Sequence, residues 1–79
     1  MTNLEKYISA FKNSLSIDEK IVNDNLKYNE IPEWDSIGHM SLMSELEDAF
    51  KISIDTDDIV DFSSFQKGKK ILKKYKVDI

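Results

Sequence analysis

The sequence contains no cysteine, one histidine, one proline and two glycines in 79 residues. Without cysteine there is no disulfide framework, no thiolate metal site and no thiol nucleophile. A single histidine is too few for a histidine-rich metal centre, and the expectation is no metal site. No apolar run approaches the roughly 20 residues that cross a bilayer. The opening, Met1 to Leu4 followed by Glu5 and Lys6, lacks the long apolar stretch of a secretory signal. The cytoplasm is the expected compartment, without membrane insertion. Length allows one domain, residues 1–79, and leaves little room for an enclosed catalytic cleft. A chain of this size buries only about 60–65% of the surface it exposes when unfolded, so its core is modest.

The net charge of -4 is unevenly spread. Residues 1–29 balance to zero, residues 30–61 hold ten acids against Lys51, and residues 62–79 hold six lysines against Asp78. The middle of the chain therefore carries a negative field that attracts basic partners and repels a phosphate backbone. The lysines near the end suit a solvated helix face close to a helix C-terminus, so no nucleic-acid partner is expected.

Leu4, Tyr7, Ile8, Phe11 and Leu15 recur at three- and four-residue steps, which predicts a helix from about Asn3 to Asn13 or Leu15, capped by Thr2 or Asn3. Residues 16–35 read as a long loop pinned by apolar side chains, with a short helix over Asp18–Asn23 and a stop at Ile31-Pro32. Asp35 is a good N-cap, and Ile37, Met40, Leu42, Met43, Leu46, Ala49 and Phe50 predict a helix over Ser36–Phe50. Ile52 and Ile54 read as a loop, because two apolar residues without a partner make no sheet. Thr56 caps a short acidic helix ending near Phe62, and Ser63 or Ser64 caps a last one through Phe65, Ile71, Leu72 and Tyr75. Gly68 inside that helix costs about 1 kcal/mol in propensity and points to close packing. The expected core is Leu4, Ile8, Phe11, Leu15, Leu26, Leu42, Leu46, Phe50, Ile54, Ile59, Phe62, Leu72 and Tyr75. Together this is an all-α bundle of three longer helices, one short helix and a long first loop.

Ser36 is the residue with the most chemistry. It stands in the first turn of the central helix, next to its N-cap, where unpaired N–H groups and the helix dipole favour an anion. A phosphate ester on its hydroxyl is well placed there. Hydrolase chemistry is not expected, since no acid orients His39 and the glycines of a nucleophile elbow are missing.

The run Trp34-Asp35-Ser36-Ile37-Gly38-His39-Met40-Ser41-Leu42-Met43, continued by Glu45-Leu46-Glu47-Asp48-Ala49-Phe50, resembles the acyl carrier protein family. The layout of the remaining elements is similar over nearly the whole chain. The resemblance implies a non-enzymatic carrier whose Ser36 is esterified by a 4'-phosphopantetheine arm taken from coenzyme A. A separate phosphopantetheinyl transferase performs that step and is the only place where Mg²⁺ enters. The arm's thiol then holds an acyl group as a thioester, so a cysteine-free chain is compatible with the role. By carry-over Asp35 presents the serine and Ile37 and Met40 give apolar contact beside the arm. Glu47 and Asp48 match acidic positions that dock partner enzymes, although each reads equally well as solvated helix face. Met43, Leu46, Ile59 and Phe62 are candidates to line an acyl pocket, or else belong to a filled core.

Three residues depart from the family's usual polar-acidic start of this helix. Gly38, His39 and Ser41 thin the negative patch near the serine, and Gly38 adds flexibility where the serine is presented. His39 is expected at the surface, a candidate contact for a partner or for the arm's phosphate. Trp34 is expected to seal the end of the bundle with its N–H outside. The cargo stays open between fatty-acid-like or specialised biosynthesis (polyketide, peptide, surface polysaccharide) and an aminoacyl or D-alanyl group. The expected partners are the transferase, an acyl- or aminoacyl-loading enzyme and a downstream synthase or transferase, acting on a free-standing monomer. The rival of another class is an acidic helical interaction module without an arm.

Overall fold

Thr2 opens the first helix with extended backbone, its hydroxyl accepting the Glu5 N–H at 3.1 Å while the Glu5 carboxylate accepts the Thr2 N–H at 2.9 Å. This reciprocal capping box satisfies two orphan donors, and the bonds from Thr2 hold the Glu5 carboxyl below its ordinary pKa. In the computed structural model, which describes residues 1–79, four α-helices follow in order. They are α1 (Asn3–Leu15), α2 (Ser36–Phe50), α3 (Thr56–Asp61) and α4 (Phe65–Lys74). The fold is all-α, with three longer helices, one short one and a long first loop. No helix is long and apolar enough to cross a membrane.

The first loop departs from expectation in one place. A 3-10 turn at Glu19–Ile21, capped by Asp18, replaces the short helix expected over Asp18–Asn23. Asn23 stops it by accepting the Asn25 N–H on its own side chain at 2.9 Å, a local bond that competes with helix continuation. Beyond it, Val22 and Leu26 are buried, and an antiparallel bridge joins Lys27 to Ser64. Through that bridge the Tyr28 N–H donates to the Ser63 carbonyl and the Phe65 N–H to the Leu26 carbonyl, both at 2.9 Å. The loop is thereby tied to the start of α4, where the Ser64 hydroxyl accepts the Lys67 N–H at 2.9 Å as the cap.

The core is more aromatic than the sequence reading proposed. Tyr7, Phe11, Trp34, Phe62 and Phe65 form its centre, with Phe11 edge-on to Tyr7 at 5.1 Å, to Trp34 at 5.2 Å and to Phe65 at 5.1 Å. Such edge-to-face pairs add to the area they bury. α1 turns Tyr7, Ala10, Phe11 and Leu15 inward, so Leu4 is 41% exposed and Ile8 only half-buried, against expectation. Tyr7 tolerates full burial because its hydroxyl donates to the Phe65 carbonyl at 2.6 Å. Burial pushes its pKa well above the ordinary tyrosine value. Phe50, Ile59 and Tyr75 are half-buried, not core: Phe50 ends α2, Ile59 sits in the short α3, and Tyr75 keeps a polar tip. Val22, Ile71 and Val77, absent from the expected core, are buried in it, and Phe50, Ile59 and Tyr75 pack against it.

Asp55, not Thr56, is the N-cap of α3, and its side chain makes no capping bond. The helix is held from α4 instead. The Asp55 N–H donates to the Tyr75 hydroxyl at 2.9 Å, and the nearly buried Asp58 carboxylate accepts from both the Lys74 ammonium and the Tyr75 hydroxyl. The same bond to Asp58 raises the pKa of Lys74 and of Tyr75. The Lys74 and Tyr75 bonds hold the Asp58 carboxyl below its ordinary value. A carboxyl depressed on folding stabilises fully above its unfolded pKa, about 3.9, and loses that contribution as pH falls through the folded value. Urea unfolding of wild type and Asp58→Asn at neutral pH and near pH 3 is therefore expected to show a stability gap that narrows on acidification. A gap of constant size would refute the role given to Asp58.

Candidate functional site

Asp35 has extended backbone (φ -102°, ψ -168°), which aims its carboxylate along the helix it precedes. Its Oδ1 accepts the Gly38 N–H at 2.8 Å, and its carbonyl accepts the His39 N–H at 2.8 Å as the first bond of α2. Ser36 is thus the first helical residue and its side chain is exposed. The N–H groups of Ser36 and Ile37 lie ahead of the first intrahelical acceptor, so the helix end beside the hydroxyl keeps unspent donors and a positive dipole end.

Ile37 and Met40 stand beside Ser36, 77% and 55% exposed. Ser36, Ile37, Met40, Glu47 and Asp48 line one shallow, open groove along the outer flank of α2, with Ser41, Ser44 and Glu45, and with Asn13 and Ser14 of α1 as the opposite wall. The groove carries three carboxylates and no cation among these residues. The structure therefore brings together five of the residues singled out from the sequence. Glu47 is not wholly available, because its Oε2 accepts the Ile54 N–H at 2.8 Å and so fastens the turn after α2. Asp48 and Glu45 are exposed.

Gly38 supplies space, not the flexibility proposed for it. A Cβ at this position would run into the Glu33 carbonyl oxygen and come to 2.9 Å from Leu15 Cδ2. The loop before Asp35 crosses the first turn of α2 so closely that only glycine fits. That crossing is what fixes the loop end carrying Asp35 and Ser36.

His39 and Trp34 both overturn the sequence reading. Trp34 is fully buried, and its indole N–H, expected outside, donates to His39 Nδ1 at 2.9 Å. His39, expected in solvent, is 9% exposed, with its Nε2 2.8 Å from the Ile59 carbonyl. An indole nitrogen only donates and a carbonyl only accepts, so Nδ1 bears the lone pair and Nε2 the proton. The imidazole is consequently the neutral Nε2–H tautomer, packed near the rings of Tyr28 (5.1 Å), Phe62 (5.9 Å) and Trp34 (6.1 Å). A signal for this lay in the sequence. His39 continues the stripe of Leu42, Met43 and Leu46 by one step, and those three residues are buried. His39 therefore faces inward and does not touch the groove.

Of the acyl-pocket candidates, Met43, Leu46 and Phe62 are at most 1% exposed, and Ile59 is half-buried with its carbonyl engaged by His39. No three carboxylate, histidine or cysteine side chains converge as a metal site would need, and Asp58 in the acidic run is spent on Lys74 and Tyr75. The chain matches no protein-family model, and no curated protein and no solved structure matches it significantly.

Proposed function

We propose that this chain is a carrier protein that bears a 4'-phosphopantetheine arm on Ser36. The observation that carries the reading is a solvent-facing hydroxyl at the first position of a 15-residue helix, held there by the Asp35 cap and the tight crossing at Gly38. Modification requires the Ser36 oxygen to attack a phosphorus of coenzyme A, releasing adenosine bisphosphate and giving up the hydroxyl proton to the transferase. The donors of Ser36 and Ile37 and the dipole of α2 then favour the phosphodiester anion where it would sit. When bound, the arm supplies the thiol that holds an acyl group. Ile37 and Met40 offer apolar contact at the root of the arm, and Glu45 and Asp48 offer charge to basic partner surfaces. Charge complementarity of this kind speeds transient docking, which suits a chain visited in turn by a transferase, a loading enzyme and a synthase. Aminoacyl cargo fits the same site as acyl cargo.

Apo protein incubated with coenzyme A, Mg²⁺ and a broad-specificity phosphopantetheinyl transferase is expected to gain the mass of one arm, and Ser36→Ala none. Failure of several transferases to modify folded wild type would leave the acid-lined groove as the surface of an interaction module and end the carrier reading.

A further inference from the structure

We infer that His39 decides the cargo class: it latches α3 onto α2 and restricts the carrier to short or polar acyl groups that stay outside the helices. The inference rests on the carrier reading of Ser36. His39 follows Ser36 by three residues, one helical turn along α2, and lines the niche against Ile59 and Val60 of α3, so a tail that turns from the serine into this seam has the imidazole in its way. Both ring nitrogens are occupied, Nδ1 by the Trp34 N–H and Nε2 by the Ile59 carbonyl. Moving the ring aside leaves the buried Trp34 N–H without an acceptor, a penalty incurred before any methylene of the tail is covered, while the Ile59 carbonyl keeps only the longer bond from the Phe62 N–H at 3.4 Å. Moving α3 aside is opposed from its other flank, where Asp58 is bonded to Lys74 and Tyr75. The chain leaving α3 is fastened too, through the Ser63 carbonyl to the Tyr28 N–H at 2.9 Å.

The surface niche at this seam is lined by Tyr28, His39, Ile59, Val60, Phe62 and Ser63. Val60 is exposed, whereas His39 and Phe62 are buried and form the floor. Met43 and Leu46, one and two turns further along α2 from His39, are closed off in the core and do not line the niche. A few carbons can rest against Tyr28 and Val60, but a longer tail finds no way past the imidazole. A glutamine at position 39 retains one donor and one acceptor on a side chain of similar reach, whereas alanine removes both and opens the seam.

The test loads wild type, His39→Gln and His39→Ala with acetyl, butyryl and octanoyl arms from the corresponding acyl-coenzyme A esters. It reads the thermal midpoint and the methyl resonance of Met43. In wild type and His39→Gln the midpoint is expected to be the same for all three chains, with the Met43 methyl unmoved. In His39→Ala the octanoyl form is expected to melt about 5 °C above the acetyl form, the shift that an added stabilisation of order 1 kcal/mol gives a domain of this size. Three His39→Ala forms that melt lower but alike, with no dependence on length, would show that the imidazole is not what excludes a tail and would overturn the inference. Wild type that is stabilised by octanoyl, with a displaced Met43 methyl, overturns the inference while leaving the carrier reading intact. An arm that cannot be attached at all overturns both.

Discussion

Gly68→Ala is expected to lower the thermal midpoint by more than about 10 °C, the largest loss for any single added methyl in this chain. Propensity alone predicts the opposite sign, because alanine inside a helix is favoured over glycine by about 1 kcal/mol. The packing overrides it. A Cβ on Gly68 would overlap the Tyr7 hydroxyl and the Phe62 ring, with Phe62 Cε1 only 2.6 Å away. Neither neighbour is free to yield. The Tyr7 hydroxyl is bonded to the Phe65 carbonyl at 2.6 Å, and its ring packs on Phe65 at 4.7 Å. Overpacking of this kind costs about 1–3 kcal/mol. A displaced buried hydroxyl adds about 1–3 kcal/mol. The net loss is about 3 kcal/mol after the propensity gain is subtracted. Scanning calorimetry of the variant checks it, and a midpoint equal to or above wild type would show that α4 does not approach Tyr7 so closely.

Gly38→Ala is the second large effect, and it separates stability from presentation. If this glycine served only to loosen the helix start, alanine would stabilise the protein by up to about 1 kcal/mol and leave Ser36 as reactive as before. The Glu33 carbonyl and Leu15 stand in the way. The expected result is a loss of about 2 kcal/mol through forced movement of the loop. The Gly38 N–H also shifts away from Asp35, and with it the turn that carries the serine. Arm transfer to Ser36, followed by intact mass over time at a temperature where the variant is folded, is expected to slow by at least about tenfold, roughly 1.4 kcal/mol of barrier. A stabilised variant modified at the wild-type rate would return Gly38 to a role in flexibility.

Much of this molecule is legible along the chain because the signals are local. Thr2 with Glu5, Asp35 before Ser36 and Ser64 before Phe65 are caps whose bonds close within three residues, and all three start helices where the residue types say they should. The exposure of Ser36 at a helix start and the gathering of Ile37, Met40, Glu47 and Asp48 beside it follow from helical periodicity alone. The misplaced residues are those whose surroundings come from distant segments. Tyr7 and Trp34 are amphipathic, and whether their polar tips face water depends on an acceptor inside: for Tyr7 the Phe65 carbonyl, 58 residues on, and for Trp34 the His39 ring, five residues on and itself held inward by the Ile59 carbonyl of α3.

Composition and periodicity by themselves determined the three longer helices, the presence of the short acidic one and a hydroxyl at the head of α2, since each rests on interactions between residues a few positions apart, whereas the turn at Glu19–Ile21 and the cap of α3 departed from them. Only the tertiary structure decided which face of α1 turns inward, that Gly38 answers to space as Gly68 was expected to, and that His39 joins Trp34 to α3 as a neutral ring. Those outcomes depend on which groups meet across the fold. A buried donor must find its acceptor and a crossing must find its room, and neither partner is adjacent in the chain.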